Sequence, residues 1–341
     1  MPPLAPMPTS APTRVVVVTG ASSGIGRAVA HAFARTGSAV VLAGRSEAPL
    51  HETARECRAL GGTALVRVTD TSDPDAVALL RRVAVDTFGR IDVWINNAAV
   101  LALGRFEDVP EPAFRKVIET NLFGYVYGAR AALRQFRQQG SRGVLVNIDS
   151  LLGVVTEPHA SAYVASKFAI RGLSAALRQE LRDTPGIQVC TVLPPSVDTP
   201  VYQHAANYTG QRARAIPPTC DPASVARTVL AVAERPRPEV VIGRIARLVS
   251  RLAAVAPRTA ERAGGRLGPI LQFEAKATPP SEGNLFTSRG PHAVRGGWRA
   301  RGTRLGVRAA LGALLIGIPA ALVLLRWRPR RPPDHARGAK R

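Results

Sequence analysis

From Val15 onward the chain alternates short β-branched runs with longer stretches of helical period, and this alternation constrains its fold more than any other feature. Short unbroken apolar runs suit strands buried on both faces, and parallel strands need helical crossovers between them. Strand runs are read at 15–18, 39–43, 64–68, 92–96, 143–148, 187–193 and 239–242. Helical patterns fill the gaps at about 24–36, 49–60, 74–88, 112–138, 161–182 and 222–233. The expectation is an α/β fold, a doubly wound parallel sheet of seven strands. A disordered Pro-rich arm over 1–13 should precede a catalytic domain at 14–243. A basic extension or linker at 244–304, a hydrophobic helix at 305–325 and a basic tail at 326–341 should follow.

The net charge of +22 first suggests nucleic acid, but its distribution argues otherwise. Residues 1–235 carry 25 Lys and Arg against 19 Asp and Glu, whereas residues 236–341 carry 21 against 5. The first two thirds are therefore an ordinary globular body. The basic end lacks the interleaved aromatics of a base-stacking platform, so no nucleic-acid partner is expected. Cys57, Cys190 and Cys220 lie far apart without metal-ligand spacing, so they read as reduced thiols with no disulfide and no metal site. The first fourteen residues lack the apolar core of a secretory signal, which places the body in the cytoplasm.

After the first strand run comes Thr19-Gly20-Ala21-Ser22-Ser23-Gly24-Ile25-Gly26, opening into a helix. A glycine-rich turn there presents backbone N–H groups and the positive end of a helix dipole to a pyrophosphate, and the absent side chains let it approach. The second run ends at Arg45, where a site for NAD carries an acid to hold the ribose 2′-hydroxyl. An arginine suits a 2′-phosphate instead, so NADP(H) is expected in preference to NAD(H). Farther on stand Asp70, then Asn96-Asn97-Ala98-Ala99, Asn121 within the long fourth helix, Ser150 after the fifth strand, and Tyr163-x3-Lys167. Residues four apart share a helix face, and a chain with five tyrosines and only four lysines rarely makes this pair by chance.

In this order and spacing these motifs resemble the short-chain dehydrogenase/reductase family over about residues 13–243, with an extension similar to that of longer bacterial members. The resemblance implies a seven-stranded Rossmann-like sheet and a catalytic tetrad of Asn121, Ser150, Tyr163 and Lys167. It also implies coenzyme contacts at Thr19, Gly20, Ser22, Ser23, Gly24, Ile25, Gly26, Arg45, Asp70, Asn97, Ala98, Tyr163, Lys167, Pro194, Val197 and Thr199. A phenol is a poor acid–base group at neutral pH, but a nearby ammonium and a cationic nicotinamide both favour phenolate. Tyr163 then exchanges a proton with the substrate oxygen while hydride moves, Ser150 binds that oxygen, and by resemblance Asn121 holds a water in a proton relay. The chain departs from the family at Ala99, at Pro195 in place of a glycine, and at Asp149, where many relatives have serine. Pro195 puts the turn beside the nicotinamide in question. Asp149 should either face solvent or bias the pocket against anions.

The long segment 198–219 corresponds by resemblance to the substrate lid, although Tyr202, His204, Tyr208, Arg212 and Arg214 do not name a substrate. The uncharged run 309–325, lengthened through Leu305 and flanked by arginines and Trp327, fits a membrane-spanning helix, an in-plane helix, or a helix docked on protein. The overall expectation is a membrane-anchored oxidoreductase interconverting an alcohol and a carbonyl of lipophilic character. A catalytically silent dinucleotide-binding sensor or scaffold is the alternative, and a homo-oligomer is left open.

Overall fold

The computed structural model describes residues 14–301. The expected arm at 1–13, the hydrophobic helix at 305–325 and the tail at 326–341 lie outside them. Among the described residues no helix is long and apolar enough to cross a membrane.

Seven parallel strands form the central sheet: β1 (Val15–Thr19), β2 (Ala39–Gly44), β3 (Thr63–Val68), β4 (Val93–Asn96), β5 (Gly143–Ile148), β6 (Ile187–Leu193) and β7 (Glu239–Val241). Their order is β3-β2-β1-β4-β5-β6-β7, so the winding reverses between β1 and β4. Such a reversal opens a crevice at the carboxyl ends of the strands. Six helices, α1 (Gly24–Ala34), α2 (Glu47–Ala59), α3 (Pro74–Phe88), α4 (Glu111–Ile118), α5 (Gly124–Gln138) and α6 (Ser161–Glu180), join the first strands, and the helix Pro222–Glu234 leads into β7.

Strand periodicity explains why the first runs read as solid valine. Val16, Val18, Val40 and Leu42 pack under Val29 and Phe33 of α1 and Val225 and Val229 of the Pro222–Glu234 helix. Val17, Val41, Trp94 and Leu145 meet Val77 and Leu80 of α3 and Ala132 and Phe136 of α5 on the opposite face. Both faces are covered, so neither can be polar. Helix ends follow local chemistry. Asp73 caps α3 by accepting from the N–H groups of Asp75 and Ala76 at 2.9 and 3.3 Å, Pro74 supplies a preset φ, and Gly89 closes the helix at φ 78°.

The expected single helix over 112–138 is instead α4, a π-helical turn at Glu119–Phe123, and α5. Asn121, fully buried in that turn, is the reason. Its Oδ1 accepts from the N–H of Val100 at 2.8 Å and its Nδ2 donates to the Val100 carbonyl at 3.0 Å, drawing the turn out of α-helical register.

Segment 198–219 is held at several places. Ala206–Asn207 pairs with Ala102–Leu103, and Gln211–Ala213 pairs with Phe273–Ala277 of the extension. After helices Arg244–Val255 and Pro257–Gln272, the chain returns as a strap across the carboxyl ends of the strands. Leu285 is fully buried on the way, and the strap ends at Trp298, which is 7% exposed. The Trp298 N–H donates to Asp198 Oδ1 at 2.7 Å, its Nε1 donates to the Thr199 carbonyl at 3.0 Å, and its ring meets Tyr202 edge-on. Trp298→Ala should remove about 3 kcal/mol of packing from this anchor. Brief trypsin digestion should then cut at the exposed Arg289 or Arg295 while the sheet region resists, and a mass spectrum of the digest shows whether the cut appears.

Candidate active site

The glycine turn is stitched to β4 across the switch point. Thr19 Oγ1 accepts from the N–H groups of Asn97 at 2.9 Å and Ala98 at 3.2 Å, and Asn97 Nδ2 donates to the Thr19 carbonyl at 2.8 Å. A Cβ on Gly26 would stand 2.1 Å from the Gly20 carbonyl, and one on Gly20 would stand 2.8 Å from Ala98 Cα. These two glycines are thus dictated by contacts within the chain, not only by room for a ligand as the sequence suggested. Gly24 is demanded by its φ of 53°. Ser23, at the N-cap of α1, makes no side-chain cap, so the first-turn N–H groups are left without that partner. A pyrophosphate suits such donors.

At the carboxyl end of β5, Ser150, Tyr163 and Lys167 come together. Lys167 is 1% exposed. Its Nζ donates to the Ile148 carbonyl at 2.9 Å and lies 5.0 Å from the ring centre of Tyr125 and 5.5 Å from that of Tyr163. Tyr125 Oη donates to the same carbonyl at 2.7 Å. Ser150 Oγ caps a short turn by accepting from the Leu152 N–H, and it stands close enough to Tyr163 to act on its phenol. Asn121 joins this cluster through Nδ2, which donates to Ser166 Oγ at 3.3 Å, and Ser166 donates to the Tyr163 carbonyl. The Asn121 amide is thereby committed to protein partners, so a relay water would not rest on its side chain.

The protein alone does not favour the Tyr163 phenolate. Burial raises the phenol well above the usual tyrosine value, Tyr202, Asp149 and Glu157 raise it further, and only Ser150 opposes them. The Lys167 ammonium lies 5.5 Å from the ring centre and is not among the groups that act on the phenol, so the expected lowering is absent. Burial also lowers Lys167 to about 8. Asp149 corrects the expectation of a solvent-facing or pocket-lining carboxylate: it is 3% exposed, and both its oxygens are buried without a hydrogen-bond partner. Glu157 was not singled out in the sequence. One of its oxygens is buried and unpartnered, and burial pushes its carboxyl up to about 7.

Pro195 leaves the following turn intact. Leu151 donates to the Pro194 carbonyl, Thr199 donates to the Val197 carbonyl, and a Cβ on Gly24 would approach Thr199 Cβ to 3.2 Å. Thr199 therefore stands against the glycine turn. Asp70 is tied to Ser72 and lies 3.5 Å from Lys116 Nζ. Burial raises its carboxyl, but the Ser72 hydrogen bonds and the cations Lys116 and Arg45 outweigh it and hold Asp70 below the usual range. Arg45 is engaged in a way the sequence did not indicate. Its guanidinium donates to the carbonyls of Leu285 and Asn284 at 2.7 and 2.5 Å, and the Gly24 N–H donates to the Ala293 carbonyl at 3.0 Å. The strap thus touches the crevice at the tip of β2 and at the first turn of α1.

Residues 14–208 match the short chain dehydrogenase family model. An uncharacterized oxidoreductase, YxnA, of Bacillus subtilis is 34% identical over 295 residues, covering 86% of this chain and 82% of that protein. A short chain dehydrogenase/reductase of Burkholderia phymatum in complex with NAD superposes with a TM-score of 0.66 at 26% identity, over 73% of this chain and 95% of that one. An alcohol dehydrogenase of Thermococcus sibiricus complexed with 5-hydroxy-NADP gives 0.59 at 27% identity, over 67% and 95%. With this fold, this crevice and these matches, the chain belongs to the short chain dehydrogenase family and is an NAD(P)-dependent enzyme acting on CH–OH groups.

Proposed function

We propose that the protein interconverts a lipophilic alcohol and its carbonyl with NADP(H), using Tyr163 as the proton-exchanging group. The observation that carries this reading is the junction at the end of β5, where Lys167 lies over the ring of Tyr163 and Ser150 stands close enough to oppose the raising of its phenol. When bound, the nicotinamide supplies or accepts the hydride. The chain's own residues do the rest. The first turn of α1 holds the pyrophosphate, Thr199 and Asn97 border the nicotinamide half, Ser150 orients the substrate oxygen, and Tyr163 exchanges a proton at Oη. A phenol kept neutral by burial is ready to donate in carbonyl reduction. Val100, Ala102, Ala162, Ala206 and Leu285 form an apolar core beside Tyr163, and the lipophilic character of the substrate rests on the anchor expected at 305–325. A membrane anchor at 305–325 would present such substrates to the site.

Tyr163→Phe should lower kcat by about 10²-fold or more while leaving coenzyme affinity unchanged, because only the exchangeable proton is lost. Steady-state rates with NADPH and a panel of apolar carbonyls, beside fluorescence titration of NADPH, check this. Substantial residual turnover would remove Tyr163 from the role.

Arg45 must exchange the carbonyls of Asn284 and Leu285 for the 2′-phosphate. Both sets of bonds have an ionised donor, but phosphate adds a full negative charge and bidentate geometry that a carbonyl dipole lacks, so the exchange favours NADP(H). Arg45→Ala should therefore weaken NADPH about tenfold or more and leave NADH within about twofold. Equal affinities for the two coenzymes in the intact protein would refute the preference.

For the anchor, full-length chain and a chain ending at Gly302 should partition differently on fractionation of expressing cells. Full-length protein is expected in the membrane pellet after a high-salt wash, and its recovery in the supernatant alongside the shortened chain would refute the anchor.

A further inference from the structure

We infer that Asp149 is a positioning residue whose carboxylate keeps Lys167 an ammonium inside the protein and thereby sets the pH range over which Tyr163 works. The second half of this inference rests on the proton-exchanging role proposed for Tyr163; the first half does not.

Strand alternation places Asp149 on the same side as Asn147, whose Nδ2 donates to Ser174 Oγ on α6 at 2.9 Å. Asp149 continues that face one residue beyond β5 and emerges beneath α6. Its backbone N–H is taken by the Val192 carbonyl at 2.9 Å, and neither carboxylate oxygen has a hydrogen-bond partner. A buried carboxylate without hydrogen bonds must either be neutral or be balanced through space by a cation. Room has been made for it: a Cβ at Gly153 would lie 2.4 Å from Asp149 Oδ2.

The charged and titratable groups whose charge couples to Asp149 are Lys167, Arg171 and Tyr163 on α6, Tyr125 on α5 and Glu239 on β7. Arg171 is already paired with Glu239 at 2.7 Å, so it brings little uncompensated charge. Lys167 is the remaining cation. Its Nζ is bonded to the carbonyl of Ile148, the residue directly before Asp149. Burial lowers Lys167, and the opposing influence is the charge of Asp149. Burial raises Asp149 to about 7, and Lys167 is foremost among the groups that oppose this. Each therefore shifts the other toward its charged form, although burial outweighs the shift in both. Glu157 and Tyr202 act on Tyr163 from the lid side and are untouched by a change at residue 149.

Removing the negative charge lowers the proton affinity of both Lys167 and Tyr163. Asp149→Asn should then shift the whole pH profile of kcat, measured with NADPH and an apolar aromatic diketone as the carbonyl probe, toward lower pH by about one unit. A second readout needs no substrate. The native wild type holds a proton on Asp149 up to about pH 7, whereas the unfolded chain releases it near pH 4, so wild-type stability falls across this window. Asparagine removes that fall. Loss of the counter-charge also depresses native Lys167 below about 8, so the unfolded chain binds the extra proton from a lower pH and variant stability rises with pH sooner. Both effects have one sign: the Tm of Asp149→Asn relative to wild type should climb from pH 5 to pH 8. Asp149→Ser, smaller and uncharged, should show the same climb and serves if the asparagine variant folds poorly. A Tm difference that is constant across that range, or a climb of the same size in a Lys167→Met background, where burial of Asp149 acts alone, overturns the inference. A climb that depends on Lys167 together with full turnover by Tyr163→Phe keeps the charge pairing and removes the proposed proton role.

Discussion

Holding the Lys167 ammonium at 1% exposure is the constraint around which the catalytic end of the molecule is arranged. Taking such a cation out of water costs several kcal/mol unless dipoles, π faces and charge replace the hydration. All three are supplied locally. The Ile148 carbonyl accepts from Nζ at 2.9 Å, the rings of Tyr125 and Tyr163 lie 5.0 and 5.5 Å away, and Asp149 provides the opposite charge. The Ile148 carbonyl is free to do this because the strand ends there, and the strand ends there because Asp149 and Ser150 leave the sheet toward α6 and the crevice. Sheet termination and the chemistry of the site are one feature of the backbone.

The fold was legible because it depends on signals that act within a few residues. Gly143–Ile148, Ile187–Leu193 and Pro74–Phe88 fall where periodicity, the Asp73 cap and the Gly89 stop placed them. The error in the long fourth helix has the opposite cause. Nothing near Asn121 disfavours an α-helix. The π turn is imposed by the backbone of Val100, 21 residues away, whose N–H and carbonyl both need a partner. A period count cannot see a requirement that arises in another segment.

The candidate site was legible to the same degree and for the same reason. Tyr163 and Lys167 share a helix face by spacing alone, and the glycine turn announces its helix terminus. What escaped were the effects of burial. The expected lowering of Tyr163 assumed that the ammonium would be the dominant neighbour, yet the phenol is raised by burial and by Tyr202, Asp149 and Glu157. Asp149 read as a departure beside the serine expected to be catalytic, with no sign of whether it faces water or protein. Its direction depends on packing under α6 and on the absence of a Cβ at Gly153.

The strap extends this argument from side chains to the chain itself. Residues 284–298 showed a likeness to longer family members at Gly283-Asn284-Leu285-Phe286 and Gly296-Gly297-Trp298 but no role, because they act mainly through main-chain groups, which any sequence possesses. The carbonyls of Asn284, Leu285 and Ala293 accept from the guanidinium of Arg45 and the N–H of Gly24, donors that the proposed function assigns to coenzyme phosphates. A carbonyl carries a partial charge and a phosphate a full one, so at a helix N-terminus and at a guanidinium the anion is the stronger partner. The strap is also held where no phosphate competes, by Trp298 on Asp198 and Thr199 and by Ser281 paired with Asn207. Its middle can therefore yield while its ends stay fixed. On the proposed reading, the extension completes the coenzyme crevice with carbonyls that satisfy its donors until a stronger acceptor arrives.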